Sequence, residues 1–279
     1  MKLDMTLAWD QTTSLIKANL ATILTVAGLF IFVPYLGFAM LFPEAANFQA
    51  PEPPPGAPFD QIMNATMEAL QAQYAKFWVP MLIATLIQMA GSLALLALLG
   101  QKANPTVGES IKRGAFSIPT YIVSQILTAL FAGVVIGLPI GLAGAISPVL
   151  AGLLILLAIP AMIYLVIKLS LVTPVIAIEG TLNPITALQR SWRLTKGNSM
   201  RLAIFLILLF IVVGVIGLIV SMVFTTAFAA IGGTVQSIGI AFVEAAVATV
   251  SGALFAAVYV AVYNQLNGAS PESVADTFE

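Results

Sequence analysis

The sequence contains neither cysteine nor histidine. Their absence excludes disulfide frameworks, Cys/His zinc sites and catalytic triads built on either residue. Charge is scarce as well, because Asp, Glu, Lys and Arg make up 8% of the 279 residues, whereas soluble domains carry roughly 25%. Eleven basic and 12 acidic residues leave a net charge of −1, so no basic surplus indicates a nucleic-acid partner.

Apolar residues take the place of the missing charge and reach 60% of the chain. A soluble fold of this size cannot bury so much apolar surface and still cover itself with polar groups. The composition therefore excludes a cytosolic enzyme, a secreted domain and a disordered chain, and it predicts an integral membrane protein.

Six apolar runs are long enough to cross a bilayer, since about 20 helical residues span a core of about 30 Å. They are apolar at both odd and even positions, which favours helices over the alternating strands of an outer-membrane barrel. We predict an all-α polytopic fold with one domain over residues 1–266 and a cytoplasmic tail over 267–279. The predicted spans are 20–42, 79–100, 117–144, 148–173, 202–228 and 236–263.

The basic residues indicate the orientation of the chain. Two precede the first span, three lie between the second and third spans, and four lie between the fourth and fifth. Cytoplasmic loops are enriched in Lys and Arg, so both termini are expected in the cytoplasm. These residues are Lys2, Lys17, Lys102, Lys112, Arg113, Arg190, Arg193, Lys196 and Arg201.

The loop at 43–77 is the only long segment predicted on the outer side. Its first half is rich in proline and should be extended or irregular. From Asp60 to Lys76 apolar residues recur at helical spacing, which predicts a surface helix lying on the outer interface.

Short amphipathic segments are predicted on the inner side. Asn183 is suited to cap a helix that begins at Pro184. Similar segments at the N-terminus and near residue 105 suggest three units, each an interfacial helix plus a hairpin, over 1–100, 101–180 and 181–266. Chance recurrence of short Asn-Pro and Lys-x-Asn matches is the other explanation.

Residues 168–201 carry the most distinctive motif in the chain. This stretch resembles bacterial six-helix membrane proteins related to the membrane domain of glycerophosphoryl diester phosphodiesterases. The resemblance implies a bacterial inner-membrane fold with a role in lipid or envelope homeostasis. The catalytic barrel of fused members is not in this sequence, so no hydrolase and no cofactor are implied. The matching positions are Lys168, Pro174, Glu179, Gly180, Pro184, Ala187, Leu188, Arg190, Ser191, Trp192, Leu194, Lys196 and Gly197.

Two charges, Lys168 and Glu244, fall deep in predicted spans, where a charge costs at least about 2.5 kcal/mol and marks a candidate site. Lys168 could snorkel towards the headgroups or contact a lipid phosphate. Glu244 is either a hydrogen-bonded core carboxyl or part of a polar cavity with Gln88 and Gln125.

The basic helix after the fourth span suits contact with anionic lipid headgroups. The alternative is an ordinary positive-inside signal. With Lys168, the residues concerned are Arg190, Trp192, Arg193 and Lys196.

Glycines at 133, 137 and 141 recur every four residues, which predicts close contact with another helix.

The functional prediction is a non-enzymatic inner-membrane protein that interacts with membrane lipids or supports envelope homeostasis. A transporter or channel for a small or amphipathic solute is the first alternative. An accessory subunit that docks other membrane proteins through 43–77 is the second. The sequence shows no phosphate loop, no paired carboxylates at catalytic spacing and no nucleophile elbow, so we expect no enzyme.

Overall fold

The structure is a computed structural model that describes residues 2–46, 48, 50–100 and 105–268. Among these residues all regular structure is helical, and six helices are long and apolar enough to cross a membrane. The predicted all-helical membrane fold is therefore confirmed. Lys102 and nearly all of the predicted tail lie outside the described residues. The helices are α1 (Met5–Leu41), α2 (Phe59–Gly100), α3 (Val107–Ile146), α4 (Pro148–Glu179), a short α5 (Pro184–Leu194), α6 (Ser199–Ala229) and α7 (Gly233–Leu266). A one-turn helix, Pro43–Ala46, follows α1.

Polar side chains fix where several helices begin. Asp4 accepts hydrogen bonds from the backbone N–H groups at the start of α1, and Thr106 and Glu109 form a reciprocal capping box on α3. Asn183 caps α5 as the sequence predicts, with Pro184 at the first helical position. These caps satisfy backbone donors that have no partner within the helix.

Two proline residues widen the helices that contain them. Pro34 and Pro139 each follow a single π-helical stretch, Gly28–Phe32 in α1 and Gly133–Gly137 in α3. A proline offers no backbone N–H, and its ring displaces the carbonyl of the preceding turn, so a wider turn accommodates it. Both prolines stand six residues after the glycine that opens the π-helical stretch.

The structure corrects the prediction of a separate surface helix at Asp60–Lys76. Those residues belong to α2, which runs without interruption for 42 residues. At about 1.5 Å per residue this helix is about 63 Å long, roughly twice the hydrocarbon core. The cause is local: no Gly or Pro separates Asp60 from Val79, and Pro80 does not end the helix.

The extension of α2 is attached to the end of α1. Gln73 donates a hydrogen bond to the Ala45 carbonyl at 2.7 Å, and Lys76 forms an ion pair with Glu44 in a one-turn helix. Hydrogen bonding to the Lys76 ammonium, together with its charge, holds the pKa of the Glu44 carboxyl below its usual range.

Hydrogen bonds bring both described ends of the chain to one face. Leu3 N–H donates to Asn198 Oδ1 at 2.8 Å, and Asp4 N–H donates to Gln265 Oε1 at 3.2 Å. Arg201 also donates to the Leu3 carbonyl. We call this surface the basic end and define it as residues 2–4, 105–113, 178–201 and 263–268.

The packed core lies near the basic end. Two clusters of buried residues meet where Val175, Ile176 and Ala177 pass between neighbouring helices with no exposed surface. By contrast, of residues 125–164, all of them described, only Ala143 is buried. We call residues 125–164 the α3–α4 arm. Its apolar surface is left to the bilayer.

The glycine prediction is wrong within the chain. No described atom outside the local backbone lies within 4 Å of a Cβ built on Gly133, Gly137 or Gly141, so this stripe contacts no other helix. Close approach occurs instead at Gly114, where a Cβ would stand 2.6 Å from the Ala90 carbonyl oxygen on α2.

Candidate functional site

Lys168 lies at the basic end of α4 beneath two aromatic rings. Its side chain is buried, and its ammonium sits 5.5 Å from the ring centroid of Tyr164 and 5.3 Å from that of Trp192. The two rings meet nearly at a right angle, at 87°. Ring faces attract cations, so the charge is stabilised although it is removed from water. Lys168 therefore joins α4 to α5.

The same junction is held by the backbone carbonyl of Lys168. Ser191 Oγ donates to it at 2.8 Å, and Thr195 Oγ1 donates at 3.4 Å. Both hydroxyls are on buried residues, so the contacts satisfy polar groups that would otherwise be costly. Ser191 thus fixes α5 against the end of α4.

A polar network holds the other side of α5. Arg190 Nε donates to Glu179 Oε1 at 3.0 Å, and Arg190 also donates to Asn267 Oδ1. The Tyr263 hydroxyl donates to the same Glu179 oxygen at 2.7 Å. Arg190, predicted as a lipid contact, is therefore engaged within the protein and joins α5 to the end of α7.

The remaining motif residues shape the backbone around α5. Pro174 is buried in the segment beneath it, and Gly197 adopts φ +81° just after the helix ends. A left-handed φ of this kind strains any residue with a side chain, which explains a glycine there. These motif residues thus shape the backbone against which α5 packs.

Two cations, one in α5 and one just after its end, are left at the surface near an apolar groove. Arg193 and Lys196 are exposed. On the neighbouring face, α5 closes a groove of about 340 Å³ with α3 and α4. We call it the α5 groove; its walls include Phe131, Leu165, Leu169, Leu188 and Trp192. Apolar walls next to exposed cations are chemically suited to an acyl chain with an anionic headgroup.

A second polar site lies towards the opposite end, around Glu244. The Tyr35 hydroxyl of α1 donates to Glu244 Oε2 of α7 at 3.2 Å. Glu244 lines a cavity of about 660 Å³ that extends from Pro43 and Gly233, at the helix ends. We call this cavity the vestibule.

A smaller cavity of about 220 Å³ adjoins the vestibule. Tyr35, Thr85 and Gln88 line it, and Ala39 lines both cavities. The structure therefore brings Gln88 near Glu244 through Tyr35. Gln125 lines neither cavity, is exposed, and donates to the Tyr121 hydroxyl at 3.3 Å.

Tyr35 is the site residue that the sequence reasoning missed. Its signal was weak: it is the single tyrosine in the apolar run of the first span. No metal site accompanies it, since the part of the chain that the structure describes contains no group of three or more Asp or Glu able to hold a metal ion.

A family model described as a domain of unknown function, DUF7847, matches residues 13–266. The chain belongs to this family. The DUF7847 match covers α2 to α7 in full and most of α1, so both sites lie within it. Neither a curated protein nor a solved structure matches the chain.

Proposed function

We propose that this protein is a non-enzymatic, multi-pass protein of the bacterial inner membrane that binds anionic lipid headgroups and supports envelope homeostasis. One observation carries the proposal: Arg193 in α5 and Lys196 just after it are exposed, and Trp192, the neighbour of Arg193 in the chain, lines the apolar α5 groove. The motif resemblance to membrane domains of glycerophosphoryl diester phosphodiesterases supports the same conclusion.

The energetics favour α5 as the lipid contact. Each cation near an anionic membrane surface contributes about 1 kcal/mol. Trp192 is half-exposed, as expected of an aromatic ring at the level of the headgroups. Buried Lys168 holds the Trp192 ring from beneath, so the ring is positioned before a lipid arrives.

The proposal places the basic end in the cytoplasm. Arg113, Arg190 and Arg201 all make hydrogen bonds there, whereas Lys76 lies at the opposite end on the extension of α2. This asymmetry follows the positive-inside rule. The cytoplasmic leaflet also carries the anionic lipids that the cations would meet.

A three-unit repeat is part of the proposal. Asn19 and Asn198 have similar backbone dihedral angles just before a span, with φ −121° and ψ 18° at Asn19 and φ −118° and ψ 0° at Asn198. Both follow a Lys-x-Asn sequence. The paired π-helical stretches in α1 and α3 support a relation between the first two units.

The test is retention of phosphatidylglycerol on the purified protein, measured by native mass spectrometry. The double variant Arg193→Gln/Lys196→Gln is compared with Lys2→Gln/Lys17→Gln, which removes two exposed charges elsewhere on the chain. Loss of about 2 kcal/mol predicts roughly 30-fold weaker retention in the first variant. Equal retention by both variants would reject α5 as the lipid contact. Arg190 is left intact because it holds Glu179.

Transport of a small or amphipathic solute is the second candidate. The observation in its favour is the hydrogen bond between Tyr35 and Glu244, which stands between two adjoining cavities in membrane helices. Proteoliposomes loaded with a pH-sensitive dye provide the test: addition of an amphipathic amine should change the internal pH faster with wild-type protein than with Glu244→Gln. Identical traces would remove this candidate.

A further inference from the structure

The wall of the vestibule is one face of α7. Thr234, Ser237, Ala241 and Glu244 all line it, and their separations of three, seven and ten residues from the first place them on one side of a helix. Small side chains among them leave space. The volume of about 660 Å³ lies within the range of about 300–1,000 Å³ typical of small-molecule sites.

Charge within the vestibule is unbalanced. Of the described residues that line the two cavities, Glu244 is the one charged side chain. It stands about 16 Å along the helix axis from Gly233, at about 1.5 Å per residue. A carboxylate at such depth is costly without a counter-charge. Tyr35 supplies a hydrogen bond to Glu244 but no positive charge.

The opening and the lining of the vestibule indicate which kind of ligand could supply a positive charge opposite Glu244. The vestibule extends to the helix ends at Pro43 and Gly233, so a ligand can enter from the surface. Its walls combine the hydroxyls of Ser237 and Thr234 with apolar side chains, including Met40 and Ile238. A group with several N–H donors and an attached apolar chain matches both parts of the lining.

We propose that the vestibule binds the protonated amine of an amphipathic molecule. The ammonium lies against the Glu244 carboxylate, which Tyr35 orients, and the apolar chain lies along Met40 and Ile238. Ser237 and Thr234 accept hydrogen bonds from the ammonium. This site is distinct from the proposed anionic-lipid contact on α5, because it has the opposite charge and lies away from the basic end.

The experiment uses dodecylamine, protonated at pH 7, and uncharged dodecanol as probes. Thermal unfolding of the purified protein in detergent is followed by tryptophan fluorescence. Dodecylamine should raise the Tm of wild-type protein saturably, and dodecanol should not. The Glu244→Gln variant should bind dodecylamine at least tenfold more weakly. The matched control Glu68→Gln removes an exposed acid on α2, outside both cavities, and should respond as wild type.

A second variant keeps the test decisive if Glu244→Gln fails to fold. Ser237→Phe fills the vestibule and leaves the carboxylate, so it should also abolish the dodecylamine response. Retained phosphatidylethanolamine in wild type, lost in Ser237→Phe, would assign the amine to a lipid headgroup; a response to dodecylamine alone would assign it to a free amphipathic amine. Equal responses to dodecylamine and dodecanol, or an unchanged response in Ser237→Phe, would overturn the proposal.

Discussion

Replacing Gly114 with alanine tests the close contact between α2 and α3. The added Cβ would lie 2.6 Å from the Ala90 carbonyl oxygen and 2.7 Å from the Ala94 nitrogen. Both neighbours are backbone atoms, which cannot rotate away as the end of a side chain can. The two helices must therefore separate, and such overpacking costs typically about 1–3 kcal/mol.

The matched control is Gly141→Ala on the α3–α4 arm. No described atom outside the local backbone lies within 4 Å of the new Cβ there, and alanine is favoured over glycine in a helix by about 0.8–1 kcal/mol. The two substitutions should thus change stability in opposite directions, with a difference of about 2–4 kcal/mol.

Thermal unfolding in detergent micelles measures the difference. For chains of 150–250 residues, 1 kcal/mol corresponds to about 2–4 °C in Tm. Gly114→Ala should therefore lower Tm by several degrees, and Gly141→Ala should leave it unchanged or raise it. The same shift from both substitutions would refute the packing of α2 against α3 described above.

Two further perturbations address the ends of the molecule. Tyr263→Phe removes the hydroxyl that donates to Glu179 and should lower the free energy of unfolding by roughly 1.5 kcal/mol, measured in a denaturant titration. The control Tyr164→Phe, on a half-exposed ring, should have little effect. Equal losses in the two variants would contradict the hydrogen bond between Tyr263 and Glu179. Because Lys76 lowers the pKa of Glu44, their ion pair stabilises the α2 extension above the unfolded pKa and is lost as pH falls through the folded pKa. The protection of amides in residues 59–76 against hydrogen exchange, relative to their intrinsic rates at the same pH, should fall as the Glu44 carboxyl becomes protonated in acid; the same pH dependence of protection in Glu44→Gln would argue against this.

Membrane crossing was predictable from the sequence because the bilayer imposes it. A core of about 30 Å demands about 20 apolar residues in each helix, and each of the six predicted spans lies on a different helix. The helix cap at Asn183 was equally predictable, because its side chain accepts hydrogen bonds from backbone N–H groups two and three residues further along the chain. Local chemistry and solvent together determine these features.

The continuity of α2 and the contacts between helices were harder to predict from the sequence. The hydropathy change near Phe77 reports where lipid begins, but backbone hydrogen bonds continue across that boundary, so α2 is one helix. The glycine spacing shows that a close contact between helices is sterically possible, but it does not show which helix face makes the contact. The contact glycine is Gly114, whereas the face carrying Gly133 stays open.

The candidate sites show the same division. Glu244 is recognisable in the sequence as a charge among apolar residues. Only the structure shows that Tyr35 belongs to the same site and that Gln125 does not. Tyr35 lies more than 200 positions away in the chain and reaches Glu244 only because α1 and α7 pack together. Arg190 likewise resembles its exposed neighbours in the sequence, whereas in the structure it forms an ion pair with Glu179.

The α3–α4 arm makes membrane thickness a variable in this protein's conformational energy. Since only Ala143 is buried between residues 125 and 164, the arm has few protein neighbours to hold its tilt. A thinner bilayer would tilt it at a modest cost, a fraction of a kcal/mol per Å of mismatch. The arm contributes Leu127 and Phe131 to the α5 groove, so the width of that groove would follow the lipid composition around it.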